Sequence, residues 1–261
     1  MKPIWLGTSW KMNKPLSEAM VWCETLAQRL PTVIHPTIQP FVIPPFTAID
    51  PVSRYIREHQ LPCLVGAQNM HGAENGAWTG EISAAMLAEC GATLVELGHS
   101  ERRGAFNETD AAINQKVHTA LRHGLRPLIC IGDSAEEKHW RVSRESVIRQ
   151  MKIALYGLSE PQLLQTLVAY EPIWAIGENG TPATPEQAGE IHRALRQALC
   201  ESFGVEVGQR IPLLYGGSVN LNNAVELLRQ DEVDGLFIGR AAWEADGYCD
   251  IVHRVTQEFI L

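Results

Sequence analysis

Ala169-Tyr-Glu-Pro-Ile-Trp-Ala-Ile-Gly177 is the stretch on which the reading of this chain turns. Leu167-Val-Ala-Tyr170 is an apolar, β-favouring run, and Pro172 stops strand pairing because it has no N–H to donate. Glu171 therefore stands where a strand releases the chain, the place where α/β proteins bind ligands. Behind it, Glu178-Asn179-Gly180-Thr181 reads as loop. Thr184-Pro-Glu-Gln187 then reads as a helix start, with a capping hydroxyl, a proline suited to the first turn and a glutamine at the reciprocal position. Strand, carboxylate, hinged loop and helix together read as a catalytic base beneath a lid. Taken alone, Glu171 reads better as a strand-end residue in a surface salt bridge.

Outward from this stretch, short β-type runs alternate with amphipathic helical stretches. Strands are expected over Ile4–Trp10, Ile38–Pro44, Leu64–Gln68, Thr93–Gly98, Pro127–Gly132, the run ending at Glu171, Ile211–Gly216 and Gly235–Gly239. A helical stretch follows each of them. Ser134-Ala-Glu-Glu137 is a capping box expected to open the longest helix. The strands are continuous apolar runs, as expected where both faces of a sheet are covered. Eight such units without a linker predict one domain over residues 1–261, a closed (β/α)₈ barrel. An open doubly wound sheet is the alternative, and no G-x-G-x-x-G follows an early strand to support it.

Composition narrows the function. Hydrophobic residues at 45% can fill a large core, and a net charge of −8 without a basic block argues against nucleic acid and anionic membrane as partners. A small anion is still allowed, because backbone N–H groups and one lysine can bind phosphate inside an acidic protein. The cysteines form no C-x-x-C pair and read as buried thiols of a reducing compartment. The start, Met1-Lys-Pro-Ile-Trp-Leu-Gly, does not read as a signal peptide, and the cytoplasm is the expected location.

The strand ends carry the chemistry. They present Ser9 and Lys11, His99 and Glu101, Glu171, Gly216-Gly217-Ser218, and Gly239-Arg240. In a barrel these converge on one mouth. Glu171 kept dry can abstract a proton, His99 at a helix start can donate an N–H to a carbonyl, and Lys11 supplies charge where an enediolate develops. Glu101 is expected to orient Lys11 or His99 from behind. Glycines at the ends of strands seven and eight, Gly177 in the lid and the Ser218 hydroxyl can cradle a phosphate. The set specifies proton transfer next to the carbonyl of a small phosphorylated ketose and needs no metal or cofactor. Single residues have plainer readings: His99 as a turn histidine, Lys11 as surface, Tyr-Gly-Gly-Ser as a tight turn. Asp133 reads as a helix-initiating carboxylate and no more, His71 as loop surface, and Trp5, Trp10 and Trp22 as packing.

In order and spacing, Ser9-Trp-Lys-Met-Asn13, Gly66-Ala-Gln-Asn69, Trp78-Thr-Gly-Glu-Ile-Ser83, Glu96-Leu-Gly-His-Ser-Glu-Arg-Arg103, Cys130-Ile-Gly132, Ala169–Gly177, Tyr215-Gly-Gly-Ser-Val219 and Asp234-Gly235 resemble the triosephosphate isomerase family nearly end to end. The resemblance implies Glu171 as base, His99 as neutral electrophile and Lys11 as the electrostatic residue, the pairing known for that family. It also implies a phosphate held by Gly177, Ser218, Gly239 and the N–H of Arg240, and a homodimer in which the loop Asn69–Thr79 reaches the neighbouring site. Three positions depart from the family's usual pattern: Ser9 where asparagine is usual, a longer lid with an added Pro182, and Arg240 where a second glycine is usual. With Gly-Thr-Ser-Trp, Glu-Asn-Gly and Ile-Gly-Arg-x-Ala-Trp, the chain is similar to the tetrulose-phosphate isomerase branch. The smaller Ser9 leaves room for a substituent that a triose lacks. The implied reaction interconverts L-erythrulose 1-phosphate and D-erythrulose 4-phosphate. The alternatives are a glycolytic triosephosphate isomerase and an inactive phosphate-binding barrel.

Overall fold

The computed structural model describes residues 2–176 and 180–259. Eight parallel strands close into a barrel in chain order. They are β1 (Ile4–Ser9), β2 (Ile38–Ile43), β3 (Leu64–Ala67), β4 (Leu94–Leu97), β5 (Arg126–Ile131), β6 (Leu167–Tyr170), β7 (Leu213–Tyr215) and β8 (Gly235–Ile238). Around them run α1 (Leu16–Val33), α2 (Ile49–Glu58), α3 (Ala84–Glu89), α4 (Ser100–Ala105), α5 (Asp110–Arg122), α6 (Ala135–His139), α7 (Ser143–Ala154), α8 (Glu160–Leu163), α9 (Pro185–Phe203), α10 (Val205–Arg210), α11 (Ala224–Leu228) and α12 (Ala245–Phe259). The (β/α)₈ barrel expected from the alternation is what forms.

Each strand splits its side chains between two cores because successive residues point to opposite faces. Inside the barrel, Trp5, Phe41, Leu94, Leu128, Leu167, Leu214 and Phe237 pack together. Trp5 meets Phe41 edge-on at 6.2 Å between ring centres, and Phe41 stacks on Phe237 at 5.8 Å. A β-carbon on Gly7 would fall 2.1 Å from the Phe41 ring, so glycine is needed for that ring to cross the lumen. The lower lumen is therefore solid, and the cavity-lining polar groups lie at the carboxyl ends of the strands.

Outside the strands, a larger core joins the helices to the sheet. Trp10 and Trp22 are both buried and pack edge-to-face at 5.0 Å, and Trp22 meets Tyr248 of α12 at 5.7 Å. Each such aromatic pair adds about 0.5–1.5 kcal/mol beyond area burial. The Tyr248 hydroxyl donates to the Leu6 carbonyl at 2.7 Å, which ties the last helix to the first strand. The tryptophans are packing, as expected.

Two caps were legible and both form. Thr184 and Gln187 make the reciprocal bonds that open α9, and Ser134 and Glu137 do the same for α6. The expectation that Ser134 opens the longest helix is corrected. α6 ends at His139, and Arg141 then takes a left-handed conformation (φ 61°) before α7 begins. A β-carbon makes that conformation unfavourable inside a helix, so the helical stretch is split. The longest helix is α9, at 19 residues. No described helix is long and apolar enough to cross a membrane.

Candidate active site

A cavity of about 510 Å³ opens at the carboxyl ends of the strands. Ser9, Lys11, His99, Glu101, Glu171, Ser218, Gly239 and Arg240 all line it, although they come from five strand ends. Gly177 lies outside the described residues.

Glu171 follows β6, and its N–H donates to the Ile131 carbonyl at 2.8 Å. Two neighbouring glycines make space for it. A β-carbon on Gly132 would sit 2.2 Å from the Glu171 carbonyl oxygen, and one on Gly216 would sit 2.6 Å from Glu171 Cγ. The carboxylate is 3% exposed, and its Oε2 has no hydrogen-bond partner among the described residues. Burial, then the nearby Glu96 charge, pushes Glu171 well above the usual carboxylate range. A dry carboxylate of raised basicity, with one oxygen left without a hydrogen bond among the described residues, is the form a proton-abstracting base takes. Gly216→Ala should move this side chain by a fraction of a bond length or more, and such misplacement costs about 10²-fold in kcat. Full turnover in that variant, measured alongside an unchanged melting temperature, would show that Glu171 does not need the space.

His99 Nε2 lies 3.5 Å from Glu171 Oε2. His99 caps α4, and its Nδ1 accepts the Glu101 N–H at 3.2 Å, which leaves the ring proton on Nε2, facing the cavity. Burial and then Lys11 pull His99 down to about 4, against an opposing pull from Glu101. The ring is neutral and donates from Nε2 at any pH well above that value. Gly98, at φ 74°, makes the turn into the cap, and Arg103 Nε holds its carbonyl at 2.6 Å.

Lys11 Nζ donates to Glu101 Oε1 at 2.6 Å, and Gln68 holds the Lys11 carbonyl at 2.7 Å. Burial alone would raise Glu101, but the Lys11 hydrogen bond, the neighbouring His99 and the Lys11 charge hold it below the usual carboxylate range. Glu101 thus contacts both partners: Lys11 through its side chain and His99 through its backbone.

On the opposite wall, the Gly-Gly-Ser turn after β7 is fixed by sterics. A β-carbon on Gly217 would collide with the Tyr215 hydroxyl at 2.1 Å. At Gly239 an added β-carbon meets nothing within 4 Å, so the space above its backbone is cavity. Arg240 opens the 3-10 turn Arg240–Ala242 beside it. The Ser218 hydroxyl, expected to face an anion, here donates to the Ala175 carbonyl, at the hinge expected for a lid.

That hinge also explains Asp133, which was expected to be a helix-initiating carboxylate and no more. It is buried and accepts from the Tyr170 hydroxyl at 2.8 Å, the Trp174 indole at 3.0 Å and the Ser143 hydroxyl at 2.7 Å. It pins the end of β6 and the hinge tryptophan together. Sequence gave no sign of this, since its partners lie at 10, 37 and 41 residues' distance.

Glu96 has no role among the sequence-based expectations, although it opens the motif Glu96–Arg103. It is 3% exposed and points into the lumen from β4. The available signal was a carboxylate inside the apolar run Leu94-Val-Glu-Leu97, on a strand with two buried faces. The loop Asn69–Thr79 folds over α5: Lys116 holds the Asn69 side chain at 2.8 Å, Thr119 the Gly72 carbonyl at 2.8 Å, and Arg122 the Glu74 carboxylate at 2.8 Å. His71, read as loop surface, is half-buried with its ring 4.5 Å from that of Trp78.

The sequence profile of triosephosphate isomerase matches residues 4–255. The chain belongs to the triosephosphate isomerase family. Among its relatives, a Mesorhizobium japonicum protein named L-erythrulose-1-phosphate isomerase is 49% identical over 97% of each chain. Proteins of the same name from Rhizobium etli and Mycolicibacterium smegmatis are each 48% identical. They cover 97% and 95% of this chain and 92% of their own length. Against the family pattern, Ser9 is the departure with the clearest structural consequence. Its carbonyl is held by the Trp243 indole at 3.0 Å, and its hydroxyl donates to Glu96 at 2.9 Å.

Proposed function

We propose that this chain interconverts L-erythrulose 1-phosphate and D-erythrulose 4-phosphate through an enediolate. Glu171 takes the proton from the hydroxyl-bearing carbon next to the carbonyl and returns it to the former carbonyl carbon. His99 Nε2–H and Lys11 Nζ stabilise the oxygens on which negative charge develops. The N–H groups of Gly177, Gly239 and Arg240 and the loop at Ser218 hold the phosphate, as the cluster of N–H donors at the ends of β7 and β8 suits an anion. The observation that carries the proton-transfer step is the unpaired, buried Glu171 oxygen 3.5 Å from His99 Nε2. Relatives named for this activity at 48–49% identity favour the four-carbon substrate over a triose.

In this reading residues 1–261 act as one catalytic domain in the cytoplasm, in erythritol breakdown and not in glycolysis. The protein pairs as a homodimer through Asn69–Thr79, in which Trp78 is 54% exposed, and Met12 and Met86 are exposed as well. Large apolar groups left on a surface in this way suit a partner surface.

The deciding experiment is the ratio of kcat/KM for L-erythrulose 1-phosphate and dihydroxyacetone phosphate, which measures differential transition-state binding. A ratio above one supports the proposal, and a ratio below one makes the protein a triosephosphate isomerase. Binding of phosphate without exchange of a label at the reacting carbon would make it an inactive barrel. Ser9→Asn fills the space beside the reacting carbon and should lower the ratio by about 10-fold or more. An unaltered ratio would remove Ser9 as the source of that space.

A further inference from the structure

The contact between Ser9 and Glu96 has no part in the proton transfer described above. Ser9 closes β1, Glu96 lies on β4, and both side chains are buried in the upper lumen. The Ser9 hydroxyl donates to Glu96 Oε2 at 2.9 Å. Among the described residues, the other carboxylate oxygen reaches only Cys130 Sγ and His99 Nε2, each at 4.0 Å. A carboxylate just above a lumen filled with Leu94, Leu128 and Phe41 loses its hydration, and a single serine hydroxyl offsets little of that cost. An apolar residue would pack there more favourably, so stability alone does not account for Glu96.

The hydroxyl's single proton gives an account. A serine hydroxyl has one proton and two lone pairs. While the proton is directed to Glu96, the Ser9 oxygen can only accept from the cavity it lines. Lys11 Nζ and His99 Nε2, on the same cavity, are donors suited to a carbonyl and to the oxygens of an enediolate. An acceptor beside them suits a different group, a substrate hydroxyl.

We propose that Glu96 is a positioning residue that fixes the Ser9 hydroxyl as an acceptor toward the cavity, so that the site selects a ketose phosphate bearing a hydroxymethyl group on the reacting carbon. This inference rests on the four-carbon reading of the substrate. A triose has no hydroxyl to place there and leaves the Ser9 lone pairs unpaired. Sites built to bind a hydroxyl discriminate strongly against analogues lacking it, by up to about 10⁴–10⁵-fold.

The charge state of Glu96 supplies a second handle. Burial raises it to about 7, and the Ser9 hydrogen bond opposes the rise. Lys11, Glu101 and Arg102 act on it through their charges, and Glu171, His99 and Cys130 approach it from β6, the end of β4 and β5. Once protonated, Glu96 can donate to Ser9, and the Ser9 proton is then free to turn to the cavity. Selectivity is accordingly full above about 7 and falls as pH drops through that value. The ratio of kcat/KM for two substrates at one pH cancels the titration of Glu171 and His99 in the free enzyme, which both substrates share.

The test measures kcat/KM for L-erythrulose 1-phosphate and dihydroxyacetone phosphate in the wild type, Ser9→Ala, Glu96→Leu, the double variant and Glu96→Gln. Glu96→Leu should lower the ratio about 10-fold or more, whereas the effect of the lost Glu96 charge on Glu171 is shared by both substrates and cancels in the ratio. Glu96→Gln, whose amide oxygen still accepts from Ser9, should keep most of the ratio and lose its dependence on pH. The double variant should be no worse than Ser9→Ala, because both changes act through one hydrogen bond. An unchanged ratio in Glu96→Leu, or effects that multiply in the double variant, overturns the proposal. If Glu96→Leu does not fold, the wild-type ratio against pH decides: a fall through about 7 supports the proposal and a flat profile overturns it. If the wild type takes only the triose, the four-carbon reading fails by itself. A wild type that prefers the four-carbon substrate, with an unchanged ratio in Glu96→Leu, leaves that reading standing and overturns this proposal alone.

Discussion

Glu171→Gln should lower kcat by about 10²–10⁴-fold while leaving the affinity for inorganic phosphate nearly unchanged. The amide has the shape of the carboxylate, so the space that Gly132 and Gly216 leave is filled as before. It cannot take a proton, and the only path to the enediolate is lost. The phosphate contacts assigned to the ends of β7 and β8 do not involve this side chain. Turnover and a phosphate binding isotherm measured on one preparation separate the two effects. Wild-type turnover in the variant would remove Glu171 as base. The pH dependence has a definite sign. Abstraction needs the ionised carboxylate, and burial raises Glu171 well above its ordinary value of 4.5. Wild-type kcat/KM should therefore fall as pH drops through that raised value, at a higher pH than an exposed glutamate would give. The residual activity of Glu171→Gln should lack the part of that fall due to Glu171.

Lys11→Met should cost about 10²–10³-fold in kcat, with stability almost untouched. The expected asymmetry follows from where the charge sits. Lys11 pairs with Glu101, whose side chain is 58% exposed, and half-exposed ion pairs contribute about 0–1 kcal/mol to folding. In the cavity the same ammonium faces charge that exists only as the enediolate forms, so its loss weighs on the transition state. Methionine retains a long stem and a β-carbon at this left-handed position (φ 54°), so backbone strain does not change with the substitution. Turnover and melting temperature together check the outcome. A large drop in melting temperature with turnover largely kept would make Lys11 a structural residue. Glu101→Gln is the companion variant: it keeps the lysine charge and should cost much less than Lys11→Met.

The barrel was legible because its signal is local and repeated. Each apolar run ends in a polar or glycine-containing stretch, and each helix after it has its own periodicity. Glu171 and His99 could be recognised for the same reason: Pro172 marks the end of β6, and the Ser-Glu-Arg-Arg turn marks the helix that His99 caps. The Asn69–Thr79 loop and the Thr184 cap were likewise visible in local residue types. Helix length was harder to read. Nothing in the sequence from Trp140 to Val142 announces the left-handed Arg141 that divides α6 from α7.

What the sequence determined by itself is the order of elements, the identity of the groups at the strand ends and hence the class of chemistry. These follow from short-range rules: alternation, capping, and the inability of proline to pair. The tertiary structure alone decided which of those groups meet and which way their hydrogens point. It turned the Ser218 hydroxyl to the lid hinge and made Asp133 the anchor of Trp174. It also put Ser9 against Glu96 across 87 residues of chain. Such contacts exist only once the barrel has closed, because closure brings distant strands into one layer of the lumen. There, lost hydration obliges each buried polar atom to find whatever partner the closed structure supplies.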